Sequence, residues 1–178
     1  MKLTNIHTTL LQIHTKQKMN DMVDWVGISQ KRFDILFNLF IGNDKLLVQK
    51  SGWPLSYCVQ KKPQFIQQHL PLLINKLATD TTTHTFKRDT LRLLQFVIMP
   101  INLDGILMHQ CFNIIQSYTE KPATKAFALH NLIHLQKKYP GIEAELVLII
   151  QNRWSSESPA FKSVAKKILA KYAHKMYQ

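Results

Sequence analysis

Seven cations carry the most pointed chemistry in this sequence: Lys50, Lys87, Arg88, Arg92, Lys125, Lys166 and Lys171. They fall on successive segments whose apolar spacing reads as helix, so they could line one face of a helical stack. A row of cations along a curved surface suits phosphate contacts, with affinity drawn from counterion release. The same residues would also make an ordinary solvated face, since lysines occur on the other predicted helices too. The chain as a whole carries 23 Lys and Arg against 11 Asp and Glu, a net charge of +12. That balance favours anionic partners: nucleic acid first, then acidic proteins or lipid surfaces.

Asp89 lies beside Arg88 and near Arg92, with Trp25, Trp53 and Trp154 elsewhere in the chain. An Asp can stabilise a cationic sugar intermediate, and an indole can stack on a cationic base. The helical register turns Asp89 toward the buried side, which favours a structural ion pair. His130 and His134 have the i, i+4 spacing of two ligands to one metal. No acid stands between them and Lys137 and Lys138 follow one turn on, so no metal is expected. Nucleophilic chemistry has no support, because there is no GxSxG elbow, no Gly-rich phosphate loop and no activated cysteine. Glu143 and Glu145, two apart, point to different sides of a helix. Trp53 and Tyr57, at i and i+4, read as core. The expectation is a non-enzymatic chain with no cofactor.

The elements that must position these residues form a repeat. Ile66, Leu70, Leu73, Ile74 and Leu77 make one helical stripe. Leu103, Leu107, Cys111 and Ile114 repeat it, as do Ile142, Leu146, Ile149 and Ile150, closed by Arg153. Each copy starts just after a proline (Pro63, Pro100, Pro140), which is tolerated in a first helical turn and ends the segment before it. Another helical segment precedes each proline, over residues 44–61, 84–98 and 122–138. The pairs give units of roughly 37–40 residues, the repeat length of HEAT and armadillo proteins. The segment 84–98 is apolar around most of its circumference, with one polar strip at Arg88, Arg92 and Gln95, so it must be covered on both flanks.

This reading predicts an all-α fold: an α-α superhelix, or α-solenoid, of HEAT/armadillo-like helical hairpins in one domain over 1–178. N-terminal helices occupy about 1–42, with helices at 4–18 and 29–41 and the stretch from Met19 to Gly27 less defined. The repeats cover 44–78, 84–118 and 122–153, and a lysine-rich capping helix covers 159–177. Asp80 or a following Thr, and Asn102, are the expected N-caps. Cys58 and Cys111 fall within apolar helical patterns and read as reduced core residues. Lys2 followed by Asn5, His7, Gln12 and His14 is too polar for a signal sequence. No apolar run nears the roughly 18 residues of a membrane span. A cytoplasmic protein is expected.

Ser51-Gly-Trp-Pro-Leu-Ser56 ahead of Lys62-Pro63, then Lys87-Arg-Asp-Thr-Leu-Arg-Leu-Leu-Gln95, carry a family resemblance. Cys111-Phe112, Lys125-Ala-Phe-Ala-Leu129, Lys138-Tyr-Pro140 with Glu145-Leu146, and Ser158-Pro-Ala-Phe-Lys162 continue it. Across roughly residues 30–172 the chain resembles small bacterial HEAT-like repeat proteins of unknown function, some labelled adenylosuccinate lyase. That enzyme's Ser-rich Gly loop and helical core length are absent from this sequence. Pro54 departs from the pattern and raises the prospect of a kink or helix start near Trp53. HEAT-like DNA glycosylases are also similar in fold and use an Asp among aromatic residues, which would cast Asp89 in that role. The resemblance implies a fold and hardly any activity. The reading favoured here is a scaffold presenting its repeat surface to a protein partner. Sequence-independent nucleic-acid binding through the basic face is the alternative, and glycosylase chemistry a distant third.

Overall fold

The computed structural model describes residues 6–79 and 82–176, with side chains to residue 173. Helix is the only regular structure among the described residues, and the chain falls into two compact units, Met1–Ile98 and Met99–Gln178. The single domain expected from the sequence is thus described in two parts. The 84–118 repeat runs across their division.

Unit 1 opens with a correction. The helix expected over 4–18 is two helices, α1 (Ile6–Leu11) and α2 (Lys16–Val26). Thr15 is responsible: its backbone is extended and its side chain accepts from the Lys18 amide, so it starts a new helix. The indefinite stretch from Met19 onward is therefore helical, burying Met19, Met22, Val23 and Val26. Gly27 ends it at φ +51°, a conformation that suits a residue without Cβ, and its N–H returns to the Val23 carbonyl. Ser29 then caps α3 (Gln30–Ile41), whose Phe33, Leu36, Phe37 and Phe40 are buried.

Asp44 caps α4 (Lys45–Lys61) through the Leu46 and Leu47 amides. This helix passes unbroken through Pro54, which removes the amide that would have bonded to the Lys50 carbonyl. It is the centre of unit 1: α1, α2, α3 and the helix over His84–Leu94 all pack on it. Its buried positions include Ser51, Gly52, Pro54 and Ser56, and such small residues let neighbouring helices come close on several sides. A 3-10 turn (Pro63–His69) leads into α5 (Leu70–Leu77), and the whole stripe from Ile66 to Leu77 is buried. Thr83 caps α6 (His84–Leu94); Asp80, the other candidate, lies outside the described residues. The helix stops short of residue 98, leaving Phe96 and Ile98 exposed.

Unit 2 contains α7 (Ile101–Gln116), α8 (Pro122–Lys138), α9 (Glu143–Arg153) and α10 (Pro159–Met176). The N-cap of α7 is Pro100, and Asn102, the expected cap, sits in its first turn. The first helices of the pairs, α8 and α10, pack side by side, as do the second helices α7 and α9. This layering follows from the stripes: Leu103, Leu107, Cys111 and Ile114 on α7, and Leu146 and Ile150 on α9, are buried. Ile142 and Ile149 are half-buried, and Val147 takes a core place instead.

Candidate anion-binding cleft

Gly52 on α4 and Asp89 on α6 fix how closely these helices approach. A Cβ at position 52 would lie 2.9 Å from both Cβ and Cγ of Asp89 and closer still to its carboxylate. Asp89 is fully buried. Its two oxygens accept from Nε and Nη2 of Arg88, each at 2.9 Å. This is the forked, charge-assisted geometry in which a guanidinium holds a carboxylate most firmly. With both oxygens engaged and no exposure, Asp89 is a structural anchor for Arg88, as the helical register implied.

Above this pair lies a cleft of about 270 Å³. Gln49, Lys50 and Trp53 of α4 line it together with Arg88, Asp89 and Arg92 of α6 and with Ile13. Lys50 donates to the Ile13 carbonyl at 3.1 Å and lies 3.1 Å from Nδ1 of His14. The Arg92 guanidinium sits 5.4 Å from the centre of the Tyr57 ring, a cation–π seat that orients it at little entropic cost. Arg92 has no carboxylate partner among the described residues. Arg88 is neutralised by Asp89, so the cleft presents two uncompensated cations beside an indole.

The structure thus brings together Lys50, Arg88 and Arg92 of the seven cations. Lys87 is half-buried on α6. The other three belong to unit 2. Lys166 and Lys171 are exposed on α10, whereas Lys125 is 4% exposed and bonded to Glu157 at 2.5 Å. Sequence reasoning placed Trp53 and Tyr57 in the core, yet both are half-buried and one lines the cleft while the other seats Arg92. Their i, i+4 spacing was the available signal. Gly52 gave none, because its role depends on a side chain 37 residues away. Trp25 is half-buried on α2 with Arg32 over its ring, and Trp154 belongs to unit 2.

Among the described residues, no group of three or more His, Cys, Asp or Glu is placed to hold a metal. His130 is half-buried and His134 exposed on α8. Burial lowers the pKa of both, helped by Lys167 and His134 for the first and Lys137 for the second. A folded pKa below the ordinary value near 6.5 means that the unfolded chain takes up protons first as pH falls. The stability they contribute is complete above about pH 6.5 and is lost as pH drops through the folded values. The urea midpoint should therefore fall between pH 7.5 and 5.5, and fall less in His130→Gln/His134→Gln; equal slopes would refute the assignment. Cys58 and Cys111 are free and buried; burial pushes the Cys58 thiol up to about 12 and raises that of Cys111 as well. Neither is poised as a nucleophile.

No helix among the described residues is long and apolar enough to cross a membrane. No curated protein and no solved structure matches the chain. The family model of a HEAT repeat domain matches it over residues 6–172.

Proposed function

The chain belongs to the HEAT repeat domain family, and from that premise we propose that it is a non-catalytic module that binds an acidic segment of a protein partner. HEAT repeat domains generally mediate protein interactions. The observation that carries the reading is Arg92: a guanidinium seated on Tyr57, without a carboxylate partner among the described residues, beside Lys50 and Trp53 in the cleft. A partner Asp or Glu entering there would supply the missing anion, with the indole shielding the contact from water. Arg, Trp and Tyr are the residue types that most often dominate interface energetics. The fully engaged Asp89 supports the non-catalytic half of the proposal. A cytosolic setting fits the two free, buried thiols.

A glutamate-rich fluorescent peptide is the direct probe. It should bind the full chain while an uncharged peptide of equal length does not. Arg92→Ala and Trp53→Ala should each weaken binding by roughly 10–30-fold, with Lys166→Ala near wild type. Unchanged affinity in Arg92→Ala would remove the cleft from the reading.

A second reading, nucleic-acid binding, is favoured by the net charge of +12 and the exposed Lys166 and Lys171. It calls for oligonucleotide affinity whose logarithm falls by about 0.9 per neutralised phosphate against the logarithm of salt. Submicromolar oligonucleotide binding with that slope, alongside no peptide binding, would put it first.

A further inference from the structure

The chain contains its own control for a second site. In each unit a cavity opens between the loops that precede two neighbouring first helices. In unit 1 it measures about 240 Å³ and lies before α4 and α6; in unit 2 it measures about 440 Å³ and lies before α8 and α10. The two correspond position by position, roughly 75–77 residues apart, two repeat lengths. Lys76 donates to the Ile41 and Gly42 carbonyls at the end of α3. Arg153 donates in the same way to the Gln116 and Ser117 carbonyls at the end of α7. Thr83 caps α6 through the Phe86 amide, and Ser158 accepts from Phe161 at the start of α10.

The scaffold is shared, but the lining differs. Where unit 1 has Val48 and Thr82, unit 2 has Lys125 and Glu157. Where Asp44 caps α4 with its carboxylate, Lys121 stands before α8 and makes no side-chain cap. Lys125 and Arg153 are 4% and 8% exposed and converge on one oxygen, Oε1 of Glu157, at 2.5 and 2.8 Å. A buried ion pair is seldom more stabilising than an apolar pair of similar volume, and Val48 shows that the scaffold accepts the apolar solution. Around the unit 2 cavity, Lys121, Lys125 and Arg153 face Glu120 and Glu157, which leaves one cation in excess. Tyr118, 87% exposed, lies against the Arg153 guanidinium at 4.1 Å and also lines the cavity.

We infer that the unit 2 cavity binds a phosphate group, free or carried by a small monoester, between Lys121, Lys125 and Arg153. Glu157 holds the two buried cations in position while competing with the ligand for them. The cavity exceeds the size of a phosphate, leaving room for an organic group against Tyr118. This site is independent of the acidic-partner cleft.

The test is thermal unfolding of the full chain in inorganic phosphate or glycerol 3-phosphate, each matched in ionic strength by chloride. At ten times Kd, phosphate should raise Tm by about 4 °C. The increment should vanish in Lys121→Gln, a surface change that leaves the fold intact, and in Lys125→Met. It should persist in Lys31→Gln, which removes an exposed charge from α3. Glu157→Gln should start from a lower Tm yet show a larger increment than wild type, because a competing anion is gone. A larger increment with glycerol 3-phosphate identifies an ester as ligand, and equal increments identify free phosphate. Phosphate no better than chloride on the wild type, or increments retained in Lys121→Gln, would overturn the site.

Discussion

Glu157→Gln is expected to lower the stability of unit 2 by about 3–5 kcal/mol in the absence of phosphate, the cost of removing one partner from a buried charge cluster. Both Lys125 and Arg153 lose the negative charge they share, which a neutral Gln amide does not replace, and neither can turn to bulk water from a site less than a tenth exposed. The double change Lys125→Val/Glu157→Thr should return to within about 1–2 kcal/mol of wild type, since apolar replacement of a buried pair is often neutral. Its residues are those that unit 1 carries at the corresponding positions, Val48 and Thr82. Arg153 would then keep its carbonyl contacts at the end of α7, as Lys76 does at the end of α3. Urea unfolding of the three proteins measures both steps. A double variant less stable than Glu157→Gln would show that the two cavities are not equivalent.

Gly52→Ala is the second large effect, at about 3 kcal/mol destabilising, or a Tm lowered by roughly 6–12 °C for a chain of this size. The added methyl meets Asp89 Cβ and Cγ at 2.9 Å and overlaps its carboxylate. Asp89 cannot swing aside, because Arg88 holds both oxygens and the residue is fully buried. The strain must therefore go into the α4–α6 separation, which opens the cleft above and should weaken peptide binding along with stability. Gly105→Ala supplies the opposite sign. Gly105 lies within α7, and a Cβ there meets nothing within 4 Å. Alanine should accordingly stabilise by about 0.5–1 kcal/mol through helix propensity and lower unfolded-state entropy. Thermal melts of both variants decide the matter. A Gly52→Ala protein as stable as wild type would mean that α4 and α6 do not meet as closely as described.

What the sequence determined by itself is the helical repeat. The stripe from Ile66 to Leu77, the prolines at 63, 100 and 140, and a Thr after Asp80 as one candidate cap all act within a few residues of chain. Spacing, fixed φ and capping are local physics, so they can be read without a partner segment. Even so, local competition misled in places: Thr15 divides the first helix, and α6 stops at Leu94 although apolar residues continue beyond it. Asp89 could be placed on the inner side of its helix because the helical register alone turns it there.

Only tertiary structure decided which cations are buried and paired with a carboxylate and which are not. On sequence, Lys125 and Arg92 are alike, charged residues on successive first helices. Packing buries Lys125 against Glu157, 32 residues away, and leaves Arg92 half-exposed on Tyr57 from another helix. Gly52 became significant for the same reason, through a contact from α4 to α6. The burial and pairing of a charge are set by whatever lies across the helix interface, and that neighbour comes from a distant part of the chain.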